Sequence, residues 1–367
     1  YSATNVRLQE VSLGYTIPRK LLNDVSTELH YNDKNLIEKV IRALSLLEML
    51  VKAGCPLIFK GGTSLMLIIG KSVHRLSIDI DVICPPGTNI EDYLKEFVDF
   101  GFIDLELVER KQRNDANIPK SHSKFFYKIA YRNDTEAQSY ILLDVLYEDI
   151  HYCRTQLVAI DSLFISLDGV PLMVTVPSAD DILGDKLTAF APNTTGIPYY
   201  KNDKSCSMEI AKQLFDIGRL FENVTDLQIT STAFHRIAQV ELSYRSLGTD
   251  VGQVFNDIRQ TALCISTRGK AGEGDFGLIQ DGIIRVKSFM YKQRYTIENA
   301  IVDSARAAYL ATLIEKGISQ IEPYSNNPAD VKDMVIRPSL SNKLNKLKAN
   351  SPEAFYYWAK TSEILGG

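Results

Sequence analysis

The stretch Arg75-Leu76-Ser77-Ile78-Asp79-Ile80-Asp81-Val82 alternates polar and apolar residues at every step. A repeat of two belongs to a strand with one wet face and one buried face. Leu76, Ile78, Ile80 and Val82 fall on one side; Arg75, Ser77, Asp79 and Asp81 fall on the other. Asp79 and Asp81 therefore point the same way, about 7 Å apart along the strand. Ionised side by side they repel, and the arrangement is costly unless a cation sits between them. A hard divalent cation, Mg2+ or Mn2+, suits oxygen ligands of this kind. Arg75 shares their face, where it can orient the carboxylates or meet a phosphate.

Just upstream lies Lys60-Gly61-Gly62-Thr63-Ser64, where the short apolar strand Leu57-Ile58-Phe59 turns into a helix expected over 64–69. Glycines let the backbone approach a phosphate closely, and a helix N-terminus offers free N–H groups with a partial positive charge. Thr63 and Ser64 add hydroxyls. The spacing is not that of a P-loop. Downstream, Asp144 interrupts the apolar run from Tyr140 to Tyr147, which reads as a central strand. A buried carboxylate there must be paired, hydrogen-bonded or metal-bound. With that strand beside the Asp79–Asp81 strand, three carboxylates converge, which is a layout for two-metal phosphoryl or nucleotidyl transfer.

Two further residues qualify. Lys186 sits at the edge of the apolar stripe Ile182, Leu183, Leu187 and Phe190, from which it can reach a phosphate or snorkel to solvent. Asp216 follows Leu214 on a later amphipathic helix, with Lys212 and Arg219 as alternative intrahelical partners.

The 367 residues suggest two domains, and a hydrophobic fraction of 45% with 23% charged is ordinary for a globular chain. A net charge of −4 argues against a surface coated for nucleic acid, though not against a local basic groove. Five dispersed cysteines with no CxxC pairing argue against a disulfide framework or a structural zinc, and point to a reducing cytoplasm. No apolar run reaches the length of a membrane span. No signal-peptide layout opens the chain, and Tyr1 in place of Met reads as a trimmed or processed start.

Along the chain, 1–54 reads as a helical segment, with a helix over 35–51 that Asp33 can cap. Residues 55–207 read as an α/β core, containing a helix over 90–100, strands over 105–110, 124–132 and 140–147, and a hairpin turning at Asp168-Gly169. A helix capped by Ser178 or Asp180 and a long loop over 191–207 close that core. Residues 208–367 read as a helical C-terminal domain.

Taken together, KGGTSL, HRLSIDID, LLDV, DKLTAF and KQLFDI resemble the AbiEii/AbiGii-type nucleotidyltransferases, toxins of type IV toxin–antitoxin and abortive-infection systems related to the MenT toxins. The resemblance spans about 57–220. It implies a nucleotidyltransferase core of the DNA polymerase β superfamily, with a mixed β-sheet flanked by helices and a helical C-terminal domain. It also implies transfer of a nucleotide from an NTP with Mg2+ (or Mn2+), to an acceptor that in related toxins is RNA, notably tRNA ends.

On the resemblance, Gly61, Gly62, Thr63 and Ser64 hold the triphosphate, and Asp79, Asp81 and Asp144 hold the metals. Asp144 can also deprotonate the acceptor. Lys186 contacts the nucleotide and Asp216 lies near it. At Gln213 the family often has an acid, which bears on nucleotide choice or rate. Tyr199, Tyr200, Lys201 and Lys204 can stack a base or touch phosphate. Candidate RNA contacts are Arg285, Lys287, Lys292 and Arg294, and the tail residues Arg337, Lys343, Lys346 and Lys348.

The expectation is thus an α/β (α+β) nucleotidyltransferase acting as a cytoplasmic toxin, with an NTP substrate, an RNA (tRNA) acceptor, a cognate antitoxin partner and no membrane. The competing readings are a metal-dependent glycosyltransferase using Asp79 and Asp81, and a non-catalytic nucleotide-binding protein of the same fold.

Overall fold

The computed structural model describes residues 17–70, 74–108, 119–130, 137–164, 170–245, 250–336, 340 and 342–366. It divides into two compact units: the described residues of Tyr1–Ser178 with Phe289–Gln293, and those of Ala179–Ser288 with Arg294–Gly367. The division falls at Ser178, whereas the sequence reading drew its boundary at 207. The Asp168-Gly169 turn and Arg337 lie outside the described residues.

The first unit opens with helices α1 (Arg19–Leu29) and α2 (Lys34–Lys52). Asp33 caps α2 as expected, accepting from the Leu36 amide at 3.1 Å. The apolar face of α2 packs on the sheet, and a buried ion pair sits within it. Arg42 lies 3.6 Å from Glu38 and 5.0 Å from the Tyr127 ring centroid. Burial raises the Glu38 carboxyl above the usual carboxylate range.

The sheet contains β1 (Ile58–Lys60), β2 (Ile80–Cys84), β3 (Asp104–Val108), β4 (Lys120–Lys128) and β5 (Gln138–Tyr147). Its order is β1-β2-β5-β4-β3, so β5 is central, as its apolar run implied. Only the β2–β5 pair is parallel, which makes the sheet mixed. Ile80, Val82, Leu143, Val145, Phe125 and Tyr127 are buried on the face toward the core. A separate hairpin pairs β6 (Thr155–Ala159) with β7 (Met173–Pro177).

Three local readings change. The helix after β1, α3, covers Gly61–Ile68, so the glycines form its first turn instead of preceding it. The helix expected over 90–100 is two short 3-10 turns, Ile90–Tyr93 and Phe97–Phe100. Its buried residues are Ile90, Leu94 and Phe100. The alternating stretch enters the ladder only at Ile80. Before that it is held by the returning segment Phe289–Gln293: Leu76 N–H donates to the Phe289 carbonyl at 2.8 Å, and Tyr291 N–H to His74 at 2.9 Å.

The second unit contains α4 (Ala179–Ala189), α5 (Ser207–Phe221), α6 (Leu227–Tyr244), α7 (Val251–Ser266), α8 (Phe276–Val286), α9 (Ile297–Glu315) and α10 (Pro352–Gly366). Helix α9 is central, packing on α5, α7 and α10. Its start carries a capping box between Thr296 and Asn299. Asp303 on α9 is buried among Arg219, Arg306 and Tyr295. The stretch read as a loop over 191–207 holds a small hairpin, β8 (Tyr200–Lys201) with β9 (Lys204–Ser205). Asn202 and Asp203 turn it with φ of 49° and 60°, as a two-residue type I′ turn requires.

Candidate active site

In the first unit the ladder register decides which side chains meet. Asp81 on β2 lies opposite Asp144 on β5, in parallel register. Residues so paired project to the same face, and neighbouring strands are about 4.8 Å apart. The row continues both ways, with Lys60 opposite Asp81 and His122 opposite Asp144. Lys60, Asp81, Asp144 and His122 therefore form one lateral line across four strands. Asp79 directly precedes β2, and its carbonyl accepts from Thr63 Oγ1. Asp81 and Asp144 thus share a sheet face away from the packed core, with Asp79 immediately before the strand.

The glycine turn is fitted to that line. Gly61 has a φ of +79°, and a Cβ on it would sit 2.2 Å from Asp81 Oδ2. A Cβ on Gly62 would lie 2.7 Å from an Arg75 guanidinium nitrogen and 2.9 Å from Ser77 Oγ. Two glycines are needed because the N-terminus of α3 presses directly onto the acidic strand. The first-turn amides of α3 lack intrahelical acceptors, so the positive end of its dipole lies beside the Asp81 carboxylate.

The hydroxyls are differently engaged. Thr63 Oγ1 donates to the Asp79 carbonyl at 2.6 Å, and Ser64 Oγ to the Gly61 carbonyl at 2.9 Å. Both residues are fully buried. A hydroxyl has one proton to give, so in this state Thr63 and Ser64 brace the turn while the backbone amides remain to meet an anion. Arg75 is only 2% exposed and donates to the Leu76 carbonyl, which makes it an internal prop of the turn.

Lys186 and Asp216 belong to the second unit, on α4 and α5. Their charged ends are 3.0 Å apart with side chains 7% and 1% exposed. Lys186 neither snorkels nor stands alone: it also donates to Gln213 Oε1 at 2.9 Å. Among the tail lysines, Lys343 donates to the Lys270 carbonyl and Lys348 to those of Lys332 and Met334.

The sequence reading missed His122, Lys60 and the role of Gln213. His122 fell outside the expected strand, which was started at Lys124 instead of Lys120. The alternation Lys120-Ser121-His122-Ser123-Lys124 was the available signal, though only the register ties it to Asp144.

Among the described residues no group of three or more His, Cys, Asp or Glu side chains forms a ready cage for a metal. The donors are hard oxygens, two of them in register, beside backbone shaved to glycine. The residues present therefore fit a divalent cation that arrives with a nucleotide.

No helix of the described residues is long and apolar enough to cross a membrane. No curated protein matches the chain. Among solved structures it is similar to MenT4, a nucleotidyltransferase toxin from Mycobacterium tuberculosis H37Rv, at 12% identity and a TM-score of 0.42, covering 94% of this chain and 99% of that one. It is also similar to an H. pylori protein with a provisional nucleotidyltransferase assignment, at 15% identity and a TM-score of 0.39, covering 77% and 94%. The family model described as nucleotidyl transferase AbiEii toxin, type IV TA system, matches residues 44–325, more than half of the chain. That match spans the glycine turn, the three carboxylates, Lys186 and Asp216, and it selects nucleotidyl transfer over sugar transfer. The chain belongs to the AbiEii family of nucleotidyltransferase toxins of type IV toxin–antitoxin systems.

Proposed function

We propose that this nucleotidyltransferase moves a nucleoside monophosphate from an NTP to an RNA hydroxyl, with Mg2+ (or Mn2+) held by Asp79, Asp81 and Asp144. The observation that carries the reading is the in-register pair Asp81–Asp144, of which Asp81 lies against the glycine start of α3. A cation bound there would neutralise phosphate charge and make the acceptor hydroxyl more acidic. The chain's own residues then divide the work. The first-turn amides of α3 meet the triphosphate, and Gly61 and Gly62 allow it to approach. Asp144 takes the acceptor proton as the oxygen attacks the α-phosphate in line, and pyrophosphate leaves.

For Lys186 and Asp216 the support is the motif match together with the ion pair they form. For an RNA acceptor, tRNA in the first instance, the support is the family resemblance. A cognate antitoxin is the expected protein partner. The test is incubation with each labelled NTP, Mg2+ and total RNA, alongside Asp79→Ala. Label on RNA that the variant abolishes supports the reading; NTP binding without incorporation, or equal incorporation by the variant, overturns it.

A further inference from the structure

His122 belongs to the lateral row and touches Asp144 directly. His122 lies opposite Asp144 in antiparallel register, and its Nδ1 is 2.5 Å from Asp144 Oδ1. An ionised carboxylate only accepts, so Nδ1 carries the proton in this contact. The His122 side chain is 13% exposed, while that of Asp144 is 38% exposed. The ring therefore stands behind an accessible carboxylate. Lys124, two residues along that face of β4, is engaged by Glu106 at 2.9 Å, while His122 is hydrogen-bonded to Asp144 itself. A bond to Oδ1 fixes the plane of the carboxyl group and leaves Oδ2 for the substrate side.

We propose that His122 is a positioning residue for nucleotidyl transfer: by donating from Nδ1 to Oδ1 it fixes the Asp144 carboxylate, so that Oδ2 meets the cation or the acceptor hydroxyl. This rests on the reading of Asp144 as a member of the site. Hydrogen-bond partners of metal-binding carboxylates typically change metal affinity or activity by 10- to 100-fold when removed.

The Nδ1 geometry gives a discriminating pair of variants. An Asn side chain places its amide near the position of Nδ1, whereas Gln places it near Nε2. The full chain carrying His122→Asn, His122→Gln or His122→Phe is titrated with Mn2+ in the presence of a saturating non-hydrolysable NTP by electron paramagnetic resonance. Each is then assayed for kcat and for KM with NTP, with melting temperatures as a check on folding.

His122→Gln and His122→Phe are expected to weaken Mn2+ binding and lower kcat by roughly 10- to 100-fold, with KM for NTP little changed. His122→Asn is expected to recover most of both losses. Wild-type behaviour in His122→Gln, or equal losses in the folded Asn and Gln variants, overturns the proposal while leaving the site reading intact. Should Asp144→Ala itself leave Mn2+ affinity and transfer unchanged, the site reading falls, and the role of His122 with it.

Discussion

The carboxylate of Asp81 occupies the space in which Gly61 would carry a Cβ. Glycine turn and acidic strand are therefore one packed object, and Gly61→Ala must disturb both. The residue is held at positive φ, where a side chain costs about 1–2 kcal/mol, and the new methyl would drive Asp81 from its register with Asp144. Gly61→Ala should lower the denaturation midpoint modestly and reduce transfer far more than that stability loss accounts for. Denaturant titration and single-turnover transfer on the same preparation check this.

A cation that binds the folded carboxylate site, and not the unfolded chain, raises the melting temperature by mass action. Mn2+ or Mg2+ with a non-hydrolysable NTP should therefore stabilise the wild type, and much less so Asp81→Asn or Asp144→Asn. Thermal melts across a metal titration read this directly. Because Asp144 is also the proposed proton acceptor, Asp144→Asn should lose roughly 10²- to 10⁴-fold in rate.

Lys186 and Asp216 form a buried pair, and removing one partner strands the other's charge at a cost of about 3–5 kcal/mol. Lys186→Met and Asp216→Leu should each destabilise by that order, and the double variant by much less than their sum. A double-mutant cycle in denaturant measures the coupling. It also separates lost activity that reflects nucleotide contact from lost activity that reflects a damaged helix pair.

Asp303 supplies a pH signature in the helical unit. Burial raises its carboxyl to about 6, against the pull of Arg219 and Arg306. A carboxyl whose folded pKa exceeds its unfolded value near 3.9 contributes stability at low pH. That contribution is lost as pH rises through about 4 to 6. Wild type should therefore lose stability relative to Asp303→Asn across that window and show a constant difference above it. Unfolding free energies of both proteins at several pH values test the sign.

Much of this was legible in local sequence because period and spacing are local properties. The alternation from Arg75 to Val82 assigns Asp79 and Asp81 to one face, and the apolar run around Asp144 marks a central strand. What local pattern cannot supply is register. Nothing between Lys120 and Lys124 says that His122 will stand opposite Asp144, since that depends on pairing across 22 residues. Burial was misjudged for a related reason. Lys186 could equally snorkel and Asp216 pair within its own helix, and each is internal because the two, 30 residues apart in sequence, pair with one another. Thr63 and Ser64 looked like free donors until the fold brought the Asp79 and Gly61 carbonyls to them.

The central claim is that the Asp81–Asp144 face carries nucleotidyl transfer. The most direct test follows both ends of the triphosphate. The protein is incubated with Mg2+, total RNA and each NTP labelled either at the α- or at the γ-phosphate, beside Asp81→Asn and Asp144→Asn. The account predicts α-label on RNA, γ-label in pyrophosphate, and neither in the variants. Label from the γ-phosphate on the product, or α-label transfer that survives both substitutions, would contradict it.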